Sequence, residues 1–236
     1  MRTDPNSVRA HADLVEKART GRIDLYFIGD SITRRWGATD RPDLLAHWTR
    51  SFRGWNAANF GWGGDTTQNI LWRIENGELE GASPKVIVLL AGTNNVGNAL
   101  ASGREPDAAD VARGIEAIVR ALQKRAPDAT IVLMALFPRN DYAGANAVIA
   151  DINRRIATLA DGERVRFLDI NDRLSDRRGR LRADMSRDGL HLTRRGYDVW
   201  AEALEPLLTE RLGPRASRDL APPPTGDPSA AGRSAR

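Results

Sequence analysis

The stretch Ile23-Asp24-Leu25-Tyr26-Phe27-Ile28-Gly29-Asp30-Ser31 decides how the rest of the chain is read. Residues 23–28 are rich in β-branched and aromatic side chains, contain no proline, and give way to Gly29 and Asp30, so they predict a short buried strand. Ser31 follows at once. A hydroxyl at that point stands at the carboxyl edge of a sheet, where open α/β folds keep their sites. A serine there also suits the cap of a following helix. A catalytic role for Ser31 therefore requires partners: a base, a group that orients the base, and donors for an oxyanion.

Outward from this strand, helical and extended patterns alternate. Residues 7–20 predict an amphipathic helix with Val8, His11, Val15 and Ala18 on one stripe. Pro42 opens a second helix through Leu44, Leu45 and Trp48, and a short strand over 57–60 precedes Gly61-Trp62-Gly63-Gly64-Asp65-Thr66-Thr67. Asp65 with Gln68 resembles a capping box, which opens a helix carrying Ile70, Leu71 and Ile74. Residues 85–91 form a nearly continuous apolar run, as a strand covered on both faces does, and stop at Gly92-Thr93-Asn94-Asn95. A helix over 107–125, a strand over 130–137 ended by Pro138, a helix using Ile149, Ile152, Ile156 and Leu159, a strand over 165–170 and a helix over 193–212 complete the pattern. That alternation predicts an α/β fold of three layers: a parallel sheet of five strands in a flavodoxin-like order, with helices on both faces.

A chain of 236 residues is long enough for one large domain, placed at 1–213, followed by a tail over 214–236. The tail contains Ala221-Pro222-Pro223-Pro224-Thr225-Gly226-Asp227-Pro228, cannot form a core of its own, and is expected to be disordered. The net charge of +4 arises from 35 basic and 31 acidic residues, interspersed and without an aromatic-studded basic stripe, which argues against a nucleic-acid partner. No run of about 18 apolar residues predicts a membrane span. The absence of cysteine removes disulfides, thiolate chemistry and cysteine-ligated zinc. The N-terminal residues lack the apolar core of a signal peptide, from which a cytoplasmic location is expected.

Only three histidines exist as candidate bases. His11 lies in an apolar helical stripe and His47 beside Trp48 in a helix, positions typical of packed or surface histidines. His191 stands in Asp188-Gly189-Leu190-His191, between a charged loop and the start of the last helix. An aspartate and a histidine on one turn at the sheet edge can share a proton on one ring nitrogen while the other faces a serine. For the oxyanion, Gly63 or Gly64 offers a backbone N–H unobstructed by a side chain, and Asn94 or Asn95 offers an amide. The glycine-rich loop also suits a tight turn or a phosphate cradle, but it lacks both Gly-x-Gly-x-x-Gly and a Walker-type Gly-Lys-Ser/Thr.

Gly29-Asp30-Ser31, Gly64 in its glycine-rich loop, Asn94 in Gly92-Thr93-Asn94-Asn95, and Asp188-x-x-His191 together resemble, in order, the four blocks of the SGNH/GDSL hydrolases, over residues 20–205. Residues 59–80 are especially similar to the branch formed by the platelet-activating-factor acetylhydrolase catalytic subunits. The resemblance implies Ser31 as nucleophile and His191 as general base and acid. Asp188 would orient the histidine, and an oxyanion hole would form from the Ser31 and Gly64 amides and the Asn94 side chain. Ile32 replaces the family's usual leucine and Asn95 its frequent aspartate, and neither change removes a catalytic group.

The implied activity is a serine esterase acting on a small-molecule ester, acetyl by preference, through an acyl-enzyme, with no metal or organic cofactor and with a homodimer as a reasonable assembly. Lysophospholipids and carbohydrate O-acetyl esters are alternative substrates of the same mechanism. Trp36, Trp62 and residues 95–105 and 138–146 belong to the loops that would shape the pocket. Two readings from other classes rank lower: a non-catalytic module holding an anionic ligand on the glycine-rich loop and arginines, and a flavin or nucleotide binder.

Overall fold

The strand predicted from Ile23 onward forms over Leu25–Gly29 (β1), with every residue buried. In the computed structural model, which describes residues 1–231, it is one of the inner strands of a five-stranded sheet. Its companions are β2 (Ala57–Asn59), β3 (Val86–Leu90), β4 (Thr130–Met134) and β5 (Val165–Leu168). The order is β2-β1-β3-β4-β5 and all four pairings are parallel, with Leu25 opposite Ala57 on one side and Val86 on the other. This is the predicted flavodoxin-like order. It places the switch point between β1 and β3, beside the end of β1 and Ser31.

The period-two pleat sorts side chains into two cores. Tyr26, Ile28, Ile87, Leu89, Ile131 and Leu133 face one layer, made by α1 (Pro5–Ala18), α4 (Thr67–Arg73), α5 (Thr93–Ala101), α6 (Ala108–Arg125) and α7 (Ala145–Ala157). Leu25, Phe27, Val86, Val88, Leu90, Val132 and Met134 face the other, made by α2 (Ser31–Gly37), α3 (Pro42–Phe52), α8 (Asn171–Leu174) and α9 (Arg194–Leu212). β3 explains why its sequence is uniformly apolar rather than alternating: each of its five side chains is buried under one layer or the other. At ~1.5–3 kcal/mol for each large aliphatic side chain removed from water, this strand is a principal source of stability. Among the described residues no helix is long and apolar enough to cross a membrane.

Several expectations are corrected. Residues 31–37 and 93–101 are helices α2 and α5, so Trp36, buried in α2, and most of residues 95–105 are helical rather than parts of pocket-shaping loops. The cap of α4 is Thr66, not Asp65: the Thr66 N–H and hydroxyl donate to Asn69 Oδ1 at 3.1 and 2.8 Å. Asp65 is buried instead, 3.3 Å from Arg73 Nε and 3.4 Å from Arg2 Nη1.

The tail expected to be disordered is docked over residues 214–231. It has no core of its own, but its backbone finds partners along the edge of the sheet. The Gly54 N–H donates to Asp219 Oδ2 at 2.6 Å, the Leu220 N–H to Asn56 Oδ1 at 2.7 Å, the Arg22 N–H to the Leu220 carbonyl at 2.8 Å, and the Thr39 N–H to the Thr225 carbonyl at 3.1 Å. Arg215 stacks over Trp55 at 4.5 Å, and a short helix, α10, spans Pro228–Ala231. Its prolines carry no N–H that needs a partner, so an extended strap satisfies them. The rest of the predicted tail, residues 232–236, lies outside the described residues.

Candidate active site

The site begins where β1 meets α2. Asp30 is the N-cap of α2, its Oδ1 accepting the Ile32 N–H at 2.9 Å, which leaves Ser31 as the first helical residue, at the positive end of the short helix. Gly29 is required here by space: a Cβ would lie 2.4 Å from the Leu90 carbonyl oxygen and 2.3 Å from Thr33 Oγ1. The turn is held from α9, where the Tyr197 hydroxyl donates to the Ile32 carbonyl at 2.6 Å.

His191 is brought over Ser31 by the loop before α9. Asp188 Oδ1 accepts the backbone N–H groups of Leu190 at 3.0 Å and His191 at 2.7 Å, which closes the turn. Its Oδ2 lies 2.7 Å from His191 Nδ1, and His191 Nε2 lies 3.0 Å from Ser31 Oγ. With a carboxylate on Nδ1, the ring carries its proton there and presents a lone pair at Nε2 to the serine hydroxyl.

The electrostatics favour the same arrangement. Burial pushes the His191 imidazole below its usual range and the Arg35 charge adds to this, against the opposing pull of Asp188. Burial alone would raise the Asp188 carboxyl, but the backbone and ring donors of His191 and the Leu190 N–H hold it well below the carboxylate range. A neutral imidazole beside an ionised aspartate is a base ready to accept a proton.

The other two histidines have structural partners. His11 Nε2 lies 3.1 Å from the Asn76 carbonyl and its ring stands 4.7 Å from that of Trp72. His47 is buried, accepts the Trp36 indole N–H at Nδ1 (2.8 Å) and donates from Nε2 to Asp198 at 2.6 Å. This second histidine–aspartate pair was not visible in the sequence, because Asp198 lies on a distant helix. Its free nitrogen is taken by an indole rather than a hydroxyl.

Beside Ser31, the glycine-rich loop passes close enough that a Cβ on Gly63 would stand 3.9 Å from Ser31 Cβ. Gly64 has φ of +82°, a left-handed conformation that favours glycine. Among the described residues neither the Ser31 N–H nor the Gly64 N–H has a protein acceptor. The two asparagines separate. Asn94 Nδ2 donates to the Asp65 carbonyl at 2.9 Å, next to Gly64, and keeps a second N–H. Asn95 is spent on α4, accepting the Thr67 N–H at 2.9 Å and donating to Thr67 Oγ1 and Gln68 Oε1 at 3.0 Å.

Two residues bearing on the site, Arg2 and Arg35, had no signal in the sequence, and Asp30 showed only as the middle of Gly29-Asp30-Ser31. Arg2 donates to the Gly63 carbonyl and braces the loop from outside. Asp30 is fully buried beneath the serine, and burial with the nearby Asp65 charge pushes it up to about 7. Arg35 reaches to 3.7 Å from Asp188 Oδ2. Among the described residues no group of three or more His, Cys, Asp and Glu side chains is arranged as metal ligands.

A serine, a histidine and an aspartate joined in line at the carboxyl edge of a flavodoxin-like sheet, with free amides alongside, form an arrangement suited to ester hydrolysis. The model of the GDSL-like lipase/acylhydrolase family matches residues 27–199, and the chain belongs to that family and is an ester hydrolase. It is 34% identical over 227 residues to the platelet-activating factor acetylhydrolase IB subunit alpha1 of Bos taurus, covering 92% of this chain and 89% of that one. To the alpha2 subunit of Rattus norvegicus it is 34% identical over 89% of this chain and 86% of that one. A GDSL-like lipase from Bacteroides thetaiotaomicron shares the fold with a TM-score of 0.67 at 20% identity, over 87% of this chain and 98% of that one.

Proposed function

We propose that this protein hydrolyses short-chain, preferentially acetyl, esters through an acyl-enzyme on Ser31. The observation that carries the reading is the continuous chain Ser31 Oγ, His191 Nε2, His191 Nδ1, Asp188 Oδ2, with spacings of 3.0 and 2.7 Å. As Ser31 Oγ attacks the carbonyl carbon, its proton passes to His191 Nε2, and Asp188 stabilises the imidazolium that forms. The carbonyl oxygen becomes an oxyanion held by the Ser31 and Gly64 amides and by Asn94 Nδ2, donors that together supply several kcal/mol of transition-state stabilisation. His191 then returns the proton to the departing alkoxide. Water, deprotonated by the same nitrogen, attacks the acyl-serine, and as the ester bond to Ser31 Oγ breaks, His191 returns that proton to Oγ, releasing the acid and the free serine.

The preference for acetyl rests on the relatives, which are acetylhydrolase subunits. A homodimer, the assembly expected from the family resemblance, is to be read by sedimentation. Lysophospholipids and acetylated carbohydrates are the alternative substrates of the same chemistry. The test is hydrolysis of p-nitrophenyl acetate through octanoate by wild type and Ser31→Ala. Activity that falls with chain length and is missing from the folded variant supports the reading; equal turnover by both proteins overturns it.

A further inference from the structure

The glycine-rich loop is anchored at both ends. At its start the Trp62 N–H donates to the Gly29 carbonyl at 3.0 Å and the Trp62 indole N–H to Ser7 Oγ at 2.9 Å. At its end Asp65 is buried beside Arg73, and its carbonyl accepts from Asn94 Nδ2 at 2.9 Å. Between these anchors lie Gly63 and Gly64. The peptide unit that joins them holds the Gly63 carbonyl and the Gly64 N–H, and among the described residues its partner is Arg2, whose Nη1 donates to the Gly63 oxygen.

A peptide unit flanked by two glycines is free to turn. A half turn would carry Gly64 from φ of +82° to a negative φ, which glycine adopts as readily, so backbone sterics do not choose between the two orientations. Carbonyl and N–H point opposite ways across a trans peptide. With the carbonyl held toward Arg2, the Gly64 N–H faces away from the guanidinium. After a half turn the N–H would meet the guanidinium, and a carbonyl oxygen would stand where an oxyanion needs a donor. A guanidinium repels an N–H and makes a charge-assisted hydrogen bond to a carbonyl oxygen, so Arg2 selects the first orientation. Arg2 is itself held in place: its Nε donates to Asp4 Oδ2, on the N-cap residue of α1, at 3.2 Å, and its Nη1 lies 3.4 Å from Asp65 Oδ1.

We propose that Arg2 is a positioning residue for the oxyanion hole, locking the peptide between Gly63 and Gly64 in the orientation that presents the Gly64 N–H to the reacting carbonyl oxygen. This rests on the acyl-transfer reading and adds to it a residue that touches neither the triad nor the substrate. The Arg2 charge also draws electron density toward the Gly63 oxygen, which makes the N–H at the other end of the same peptide a stronger donor.

The test compares wild type, Arg2→Leu and Arg2→Lys on p-nitrophenyl acetate and against a short-chain trifluoromethyl ketone. The ketone reports on the hole itself: Ser31 Oγ adds to its carbonyl carbon, the hydroxyl proton passes to His191 Nε2, and the carbonyl oxygen becomes an oxyanion with no leaving group to expel. Arg2→Leu is expected to lower kcat by about 10-fold with KM nearly unchanged. That is less than the roughly 10²-fold that follows outright loss of a donor, because the amide remains and still visits the productive orientation. The inhibition constant of the ketone should rise by the same factor, and Arg2→Lys should keep part of both effects. The side chain is 34% exposed, so the melting temperature should stay near that of wild type. Wild-type kcat in a folded Arg2→Leu protein overturns the proposal. A fall in kcat with unchanged ketone inhibition overturns it as well, since that is the result if Arg2 only steadies the start of α1. Should Arg2→Leu not fold, Arg2→Gln provides the same comparison. Failure of the wild type to cleave any ester overturns the acyl-transfer reading itself, a distinct result.

Discussion

His191 Nε2 lies 3.0 Å from Ser31 Oγ across 160 residues of chain. The contact exists because β1 delivers the serine at the carboxyl edge of the sheet and the loop before α9 folds back over that edge. If this contact carries the proton transfer, Ser31→Ala and His191→Ala should each lower kcat on a p-nitrophenyl ester by about 10⁴-fold or more. Circular dichroism and melting temperature should remain near those of wild type, since neither side chain fills the core. A folded Ser31→Ala protein with wild-type kcat would remove the serine from the mechanism.

The pH dependence should follow His191. Its folded-state value is lowered from 6.5 by burial and neighbouring positive charge, so the ring stays a free base as pH falls past that value. Activity is lost only when the ring finally protonates. The acid limb of kcat/KM should therefore have its midpoint below 6.5. An acid limb centred above that value would contradict the assignment.

The adjacent asparagines should separate by phenotype. Asn94→Ala removes an N–H beside Gly64 and is expected to lower kcat by roughly 10²-fold with little change in KM. Asn95→Ala instead breaks the bonds to Thr67 and Gln68 at the start of α4. It should cost about 1–2 kcal/mol in urea unfolding, with a smaller effect on kcat. The reverse pattern would exchange the two roles.

Asp30 should make stability depend on pH. Burial raises it to about 7, whereas in the unfolded chain it titrates near 3.8. Below the unfolded value both states are protonated and this contribution is complete; as pH rises through the folded value it is lost. Asp65, raised to about 6 mainly by burial, adds in the same direction. Asp30→Asn keeps the acceptor for the Ile32 N–H and cannot ionise. Relative to wild type, the variant should gain roughly 2–4 kcal/mol in unfolding free energy between pH 5 and pH 8. A difference that stays flat over this interval would mean that Asp30 ionises freely in the folded protein.

Removal of the strap should be felt although it is distant from Ser31. A chain ending at Gly213 loses the bonds from Gly54 and Leu220 to Asp219 and Asn56 and uncovers the edge beside β2. After allowance for the ordering entropy that is released, a loss of roughly 1–3 kcal/mol is expected in denaturant unfolding. An unchanged midpoint would show that residues 214–231 do not dock in solution.

Sequence pattern alone determined most of the architecture. An apolar run ending at Gly29-Asp30-Ser31, a uniformly apolar β3 and the alternation with helices admit little besides a parallel sheet covered on both faces, because those are the only arrangements that bury such runs. Ser31, Asp188 and His191 could be proposed from local sequence because each sits at a strand end or a short turn, whereas the preference for Gly64 over Gly63 and for Asn94 over Asn95 came from the family resemblance alone. What depended on the tertiary structure were contacts between distant segments. Asp65 reads as a cap locally but is buried against Arg73; His47 gains Asp198 from α9; the proline-rich tail, unable to make a core, borrows hydrogen bonds from the sheet edge; and Arg35 faces Asp188. In each case burial and long-range pairing set the outcome, and neither is encoded in the residues on either side.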